Sequence, residues 1–192
     1  LARIPATVRK KRKSGQAPLL ITQQASDSAF SEAHRLLRLK LLRQLSEKDK
    51  ILMVTSSVPS EGKTTLSANL ALLLARDGKK VLLIDADLRR PSISRLLVEK
   101  ASPGLTEILV GDATEFEAIR PGIYPNLDIM FSGDVPPNPS ELLSSERMQE
   151  LIETCAEYYD YMGMNPNGNT VGKTALFVGD SICAAGADMK IL

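Results

Sequence analysis

Between an apolar pentapeptide, Ile51-Leu-Met-Val-Thr, and a Leu/Ala-rich stretch from Thr64 to Arg76, the chain carries Ser57-Val-Pro-Ser-Glu-Gly-Lys-Thr. This segment matches a phosphate-binding loop except that Ser57 stands where the first glycine usually stands. A strand that turns through Gly-Lys-Thr into a helix restricts the fold sharply. The N–H groups of the helix start and the positive end of its dipole are built for an anion. Gly78 ends the helix, and Val81-Leu-Leu-Ile follows as a second buried strand that ends at Asp85. Strand, helix and strand joined this tightly form a βαβ unit, which requires parallel strands and a right-handed crossover. The expected fold is α/β: a P-loop NTPase-like, mostly parallel sheet with helices on both faces.

The residues of this unit have the chemistry of a nucleotide site. Gly62 lets the backbone approach a phosphate with no side chain in the way. Lys63 reaches the β- and γ-phosphates as a point charge, and Thr64 offers its hydroxyl to Mg²⁺. The expected ATP-contacting set is Ser57, Pro59, Ser60, Glu61, Gly62, Lys63, Thr64 and Thr65, with Arg89 beyond the second strand. In Leu82-Leu-Ile-Asp-Ala-Asp-Leu-Arg-Arg-Pro, Asp85 and Asp87 follow a buried strand. Alternate residues of an extended segment point the same way, so both carboxylates can face the phosphates. One can hold Mg²⁺ through water; the other can accept a proton from an attacking hydroxyl. The expected catalytic set is therefore Lys63, Asp85 and Asp87, and the metal set Thr64, Asp85 and Asp87. Arg89 either stabilises the phosphates or pairs with an aspartate.

The rest of the chain excludes several other classes. With 192 residues the chain suits one ordinary domain. Its net charge of +1 and lack of tryptophan argue against a dedicated nucleic-acid binder. One histidine, His34, and two cysteines outside any CxxC pairing leave little for a zinc site. No apolar run approaches the roughly 20 residues that span a bilayer. Residues 1–30 read as a basic tail or linker, with Arg9-Lys-Lys-Arg-Lys as either a solvated arm or a juxtamembrane segment drawn to an anionic membrane surface. Residues 31–192 read as the P-loop domain. From Ser31, leucines at 36, 37, 39, 41, 42 and 45 among charges predict an amphipathic helix. Gly104-Leu-Thr-Glu-Ile-Leu predicts a short helix and Leu127-Asp-Ile-Met-Phe a third strand. A helix is expected from Asn138 to about Glu157, with Asn138 as cap, Pro139 in the first position and Glu141 reaching back as in a capping box.

A loop of the form Ser-x-x-Pro-x-Glu-Gly-Lys-Thr, followed by an apolar-Asp-x-Asp-x-Arg motif, resembles the bacterial tyrosine kinases of capsule and exopolysaccharide synthesis. Two further stretches match. Glu32-Ala-His-Arg-Leu-Leu-Arg resembles the family's Glu-x-x-Arg-x-x-Arg element, which implies ring-like self-association through Glu32, Arg35 and Arg38. Gly133-Asp-Val-Pro-Pro-Asn-Pro-Ser-Glu-Leu-Leu resembles a loop–helix signature of the same group. The resemblance covers roughly residues 1–161. It implies ATP and Mg²⁺, phosphorylation of tyrosine between neighbouring subunits, and a transmembrane activator, a polysaccharide co-polymerase domain, fused upstream. It also implies a place on the cytoplasmic face of the membrane. In this pattern Asp85 is the base for the tyrosine hydroxyl and Asp87 supports the metal.

The chain departs from that pattern near its end. After Tyr159-Asp-Tyr the expected apolar run and aspartate read Met162-Gly-Met-Asn, so Asn165 stands in the aspartate's place and Gly163 weakens the strand. No terminal tyrosine cluster follows, and the region after about Tyr161 reads as an altered or truncated end. Gly168-Asn-Thr-Val-Gly-Lys-Thr is one residue short of a second P-loop and reads as coincidence. Asn165 leaves a non-catalytic nucleotide-binding regulator as an alternative. A partitioning-type P-loop ATPase is a third reading; it would carry an early signature lysine where this chain has Val58.

Overall fold

The computed structural model describes Leu20 and residues 29–45, 51–55, 62–97, 99–164, 178–179 and 190–191. Its elements in chain order are α1 (Ala29–Leu42), β1 (Ile51–Thr55), α2 (Lys63–Arg76), β2 (Val81–Ile84), α3 (Ile93–Leu97), α4 (Leu105–Val110) and α5 (Glu115–Ala118). Then come β3 (Ile119–Tyr124), β4 (Leu127–Met130), α6 (Pro139–Leu143), α7 (Glu146–Tyr158), β5 (Tyr161–Met164), β6 (Val178–Gly179) and β7 (Lys190–Ile191).

The strands form one sheet in the order β3-β4-β2-β5-β1-β6, with β7 also pairing β1. Every pairing is parallel except β3 with β4. All four residues of β2 are buried. Since successive side chains point to opposite sides, both faces of β2 are covered, as a parallel sheet between helices requires. α2 is buried continuously from Ser67 to Ala75, which matches its near-unbroken apolar sequence. The mostly parallel P-loop NTPase-like sheet with flanking helices is as expected, and so are β1, α2, β2, α4 and β4.

Three differences bear on the site. First, β1 and β2 are not neighbours, because β5 lies between them with Gly163 opposite both Leu52 and Leu83. The glycine expected to weaken this strand sits at the centre of the sheet, where hydrogen bonding on both edges outweighs its entropic cost. Second, the helix expected from Asn138 to Glu157 is two helices. Ser145 has extended backbone and its hydroxyl accepts the Met148 N–H at 3.2 Å, restarting the chain as α7. Pro139 does occupy the first helical position, but the Asn138 side chain caps nothing and instead donates to Glu141 Oε2 at 2.7 Å. Third, β3 is an edge strand that period-2 reading misses because Pro121 and Gly122 interrupt it. It folds onto β4 through a tight turn in which Asn126 has φ 62°.

Candidate active site

The site is assembled where β1, β2 and β4 end. Gly62, with φ 97°, delivers the chain into α2 in a left-handed conformation, and nothing lies within 4 Å of where a side chain would start. The first amides of a helix have no intrahelical acceptors. Here no side chain caps them at Gly62, and the first turn carries no acidic residue. The positive end of this 14-residue helix has the chemistry that favours an anion.

From β2 the chain enters a loop that folds around Asp85. The carboxylate is fully buried. Its Oδ2 accepts the N–H groups of Ser92 at 2.9 Å and Ile93 at 2.8 Å, and its Oδ1 accepts that of Asp87 at 3.3 Å. Asp87, half-buried, accepts the Arg90 N–H at 2.8 Å. The two halves of the site meet through Ser92, whose hydroxyl lies 2.7 Å from the Thr64 hydroxyl at the start of α2. A chain of contacts thus runs from Thr64 to Ser92 to Asp85. Ser92 escapes sequence reading because a serine in a Pro-Ser-Ile turn has no motif value; only the folded loop brings it to Thr64.

Arg89 donates to Ser140 Oγ on α6 at 2.9 Å, joining the acidic loop to the Pro-Asn-Pro-Ser-Glu segment. Ahead of that segment, the Glu107 carboxylate accepts the N–H groups of Gly104 at 2.6 Å and Asp134 at 2.9 Å, joining the start of α4 to the loop after β4. Lys63 and Thr65 are half-buried in the first turn of α2. Ser57, Pro59, Ser60 and Glu61 lie outside the described residues, as does Asn165.

Among the described residues no three His, Cys, Asp or Glu side chains cluster as a metal cage. A P-loop cation does not need one. Mg²⁺ takes hard oxygen ligands, commonly one or two from protein with phosphate oxygens and water. The Thr64 hydroxyl, with Asp85 and Asp87 carboxylates across the Ser92 contact, has that chemistry.

The Glu32, Arg35 and Arg38 set falls on α1. Glu32 and Arg35 pair with each other on the surface. Arg38 is largely enclosed and reaches Asp77 Oδ1, at the C-terminal end of α2, at 2.6 Å. Sequence reading assigned all three to self-association; the structure also gives Arg38 a contact within the chain.

A family model described as an AAA domain matches residues 50–186. Tyrosine-protein kinase YwqD of Bacillus subtilis (strain 168) is 40% identical over 153 residues, 79% of this chain and 65% of the relative. Among solved structures, the BceF tyrosine kinase domain has a TM-score of 0.70 at 30% identity, covering 81% of this chain and 69% of that one. This chain belongs to the bacterial tyrosine-kinase family of P-loop domains. The kinase domain of the Escherichia coli tyrosine kinase ETK is similar over more of its length: TM-score 0.74 at 27% identity, covering 94% of this chain and 89% of that one. A more distant likeness links this family member to the septum site-determining protein MinD of Pyrococcus horikoshii, solved with Mg-ADP. Its TM-score is 0.53 at 26% identity, covering 65% of this chain and 58% of that one. The chain spans less than two thirds of the length of YwqD, and 24% of tyrosine-protein kinase etk from E. coli (strain K12). The family match continues to residue 186, so the likeness extends beyond the Tyr161 limit expected from the motifs.

Proposed function

We propose that this chain transfers the γ-phosphoryl group of ATP to tyrosine hydroxyls, as the kinase domain of a bacterial tyrosine kinase that regulates export of an exopolysaccharide. The observation that carries this reading is the Thr64–Ser92–Asp85 chain of contacts, which joins an uncapped helix start to an acidic loop. Phosphoryl transfer through a loose transition state asks the protein mainly for position and charge. Lys63 neutralises the terminal phosphates, and the α2 amides hold them in place. Thr64, Asp85 and Asp87 would hold Mg²⁺, which when bound would neutralise charge on the transferring phosphates. Ser92 fixes the Thr64 hydroxyl, and the amides of Ser92 and Ile93 fix the Asp85 carboxylate. One of the two aspartates receives the tyrosine proton. Arg89, anchored on Ser140, supplies a further cation near the phosphates.

The setting follows from the same reading. No helix among the described residues is long and apolar enough to cross a membrane. The basic run Arg9–Lys13 and a fused upstream activator would hold the domain at the cytoplasmic membrane face, and Glu32 and Arg35 on α1 would contact the next subunit of a ring.

Incubation with Mg·ATP, followed by detection of phosphotyrosine, tests the reading. Phosphotyrosine should form, and Lys63→Met should abolish it. Tight nucleotide binding with no phosphotyrosine would support the regulator instead, and Asn165 is the sequence feature that favours that outcome. ATP hydrolysis stimulated by DNA, again without phosphotyrosine, would support the partitioning-type ATPase.

A further inference from the structure

The loop around Asp85 turns the Ser92 and Ile93 amides onto the carboxylate and the Ser92 hydroxyl onto Thr64. The same loop also borders an open groove of about 400 Å³ lined by Arg89, Arg90, Pro91, Ser94 and Arg95. Three arginines border this groove, and among the described residues no acidic one does. Two of the three are held at the guanidinium and one at its backbone N–H. Arg89 is tied to Ser140, the Arg90 N–H to Asp87, and the Arg95 guanidinium to the Pro91 carbonyl. The proposed anion cradle is the start of α2, and neither Lys63 nor Thr64 lines this groove.

We propose that this groove binds acidic side chains flanking an acceptor tyrosine, so that the domain selects tyrosines set in glutamate- or aspartate-rich sequence. The inference rests on the kinase reading and extends it to a substrate class. Guanidinium groups suit planar carboxylates, and a groove lined by one sign of charge concentrates ligands of the other. The groove is joined to the acidic loop through the Arg90 N–H bond to Asp87, so a peptide held by Arg90 and Arg95 would carry its tyrosine close to that loop. The chain itself displays a segment of this kind: Tyr158 is 64% exposed, with exposed Glu157 and Asp160 on either side. Its neighbour Tyr159 is buried, with its hydroxyl donating to Asp128 Oδ2 at 2.8 Å.

The test uses the full chain and two fluorescein-labelled peptides, one with glutamates flanking a single tyrosine and one with lysines. Fluorescence anisotropy should show the acidic peptide binding tightly at low salt and more weakly as salt rises. Arg90→Gln with Arg95→Gln should weaken that binding about tenfold and leave the lysine-flanked peptide unchanged. Affinity for Mg·ATP by calorimetry should stay at the native value. Should the double variant lose native circular dichroism, Arg90→Gln alone takes its place, since Arg90 is exposed. Unchanged binding of the acidic peptide would overturn the inference. Parallel loss of Mg·ATP affinity would overturn it too, by making the groove part of the nucleotide site. Arginine-dependent peptide binding without phosphotyrosine would sink the kinase reading and leave the groove standing. Phosphorylation of both peptides with equal KM and equal affinity would do the reverse.

Discussion

Asp85 concentrates more of the site's structure than any other side chain. A carboxylate can accept on both oxygens, and here Oδ2 takes two backbone amides while Oδ1 takes a third. Asp85→Asn replaces one acceptor by a donor that faces N–H groups, which leaves buried polar groups unpaired. The expected loss is about 1–3 kcal/mol, read as a lower midpoint in thermal unfolding even without nucleotide. An unchanged midpoint would mean that the loop does not depend on these bonds. Cys155 offers a second residue-scale check. Burial, with Glu115 nearby as a lesser cause, pushes its thiol from 9.0 up to about 12. The folded state therefore keeps a proton that the unfolded chain releases between those values, so stability falls as pH rises from about 9 towards 12. At pH 8 the native thiol should resist a thiol-specific disulfide reagent and should react once the chain is unfolded. Burial and the bond to Asp128 push the Tyr159 phenol up as well, in the same direction. The P-loop residues Gly62, Lys63 and Thr64 and the pair Asp85 and Asp87 were legible as a motif because chemistry dictates their types. Ser92 and Ser140 were not, because a hydroxyl becomes part of a site only through what the fold places beside it.

At the scale of elements, α1 and α2 show how one motif can have two uses. Glu32 and Arg35 are an exposed i,i+3 pair, and breaking it should change stability little. Arg38 differs: its guanidinium has 17% exposure and spans to Asp77, where α2 ends. Arg38→Ala should lower stability by about 1 kcal/mol, allowing for the partial exposure of Asp77. Glu32→Ala should lower it by much less, and denaturant midpoints of the two variants check the difference. Equal effects would return Arg38 to a purely surface role. Any loss of self-association in Arg38→Ala must then be judged beside its unfolding midpoint. Length and apolar density made α2 and β2 readable. The break between α6 and α7 was hidden, because Ser144 and Ser145 are ordinary helix-surface residues until Ser145 turns its hydroxyl onto the Met148 amide.

For the whole molecule, nucleotide binding and folding share one equilibrium. The anion cradle and the acidic loop both follow the C-terminal ends of central strands, so a ligand held there binds the folded chain alone. At about 100 times its Kd, Mg·ATP should stabilise the protein by about 2.7 kcal/mol, which for a domain of this size raises the unfolding midpoint by about 5–10 °C. Lys63→Met should lose most of that shift while keeping the ligand-free midpoint; an equal shift in the variant would place the nucleotide elsewhere. The amino-acid sequence alone determined the local parts: an apolar strand, Gly62-Lys63-Thr64, a buried helix, and two aspartates after a second strand. Each depends on periodicity or on a residue type that chemistry demands within a few positions. Tertiary structure decided that β5 separates the two motif strands, that Ser92 links Thr64 to Asp85, and that Arg38 closes onto α2. Those are contacts between residues far apart in the chain, and no local pattern encodes which distant backbone will hydrogen-bond to both edges of a strand.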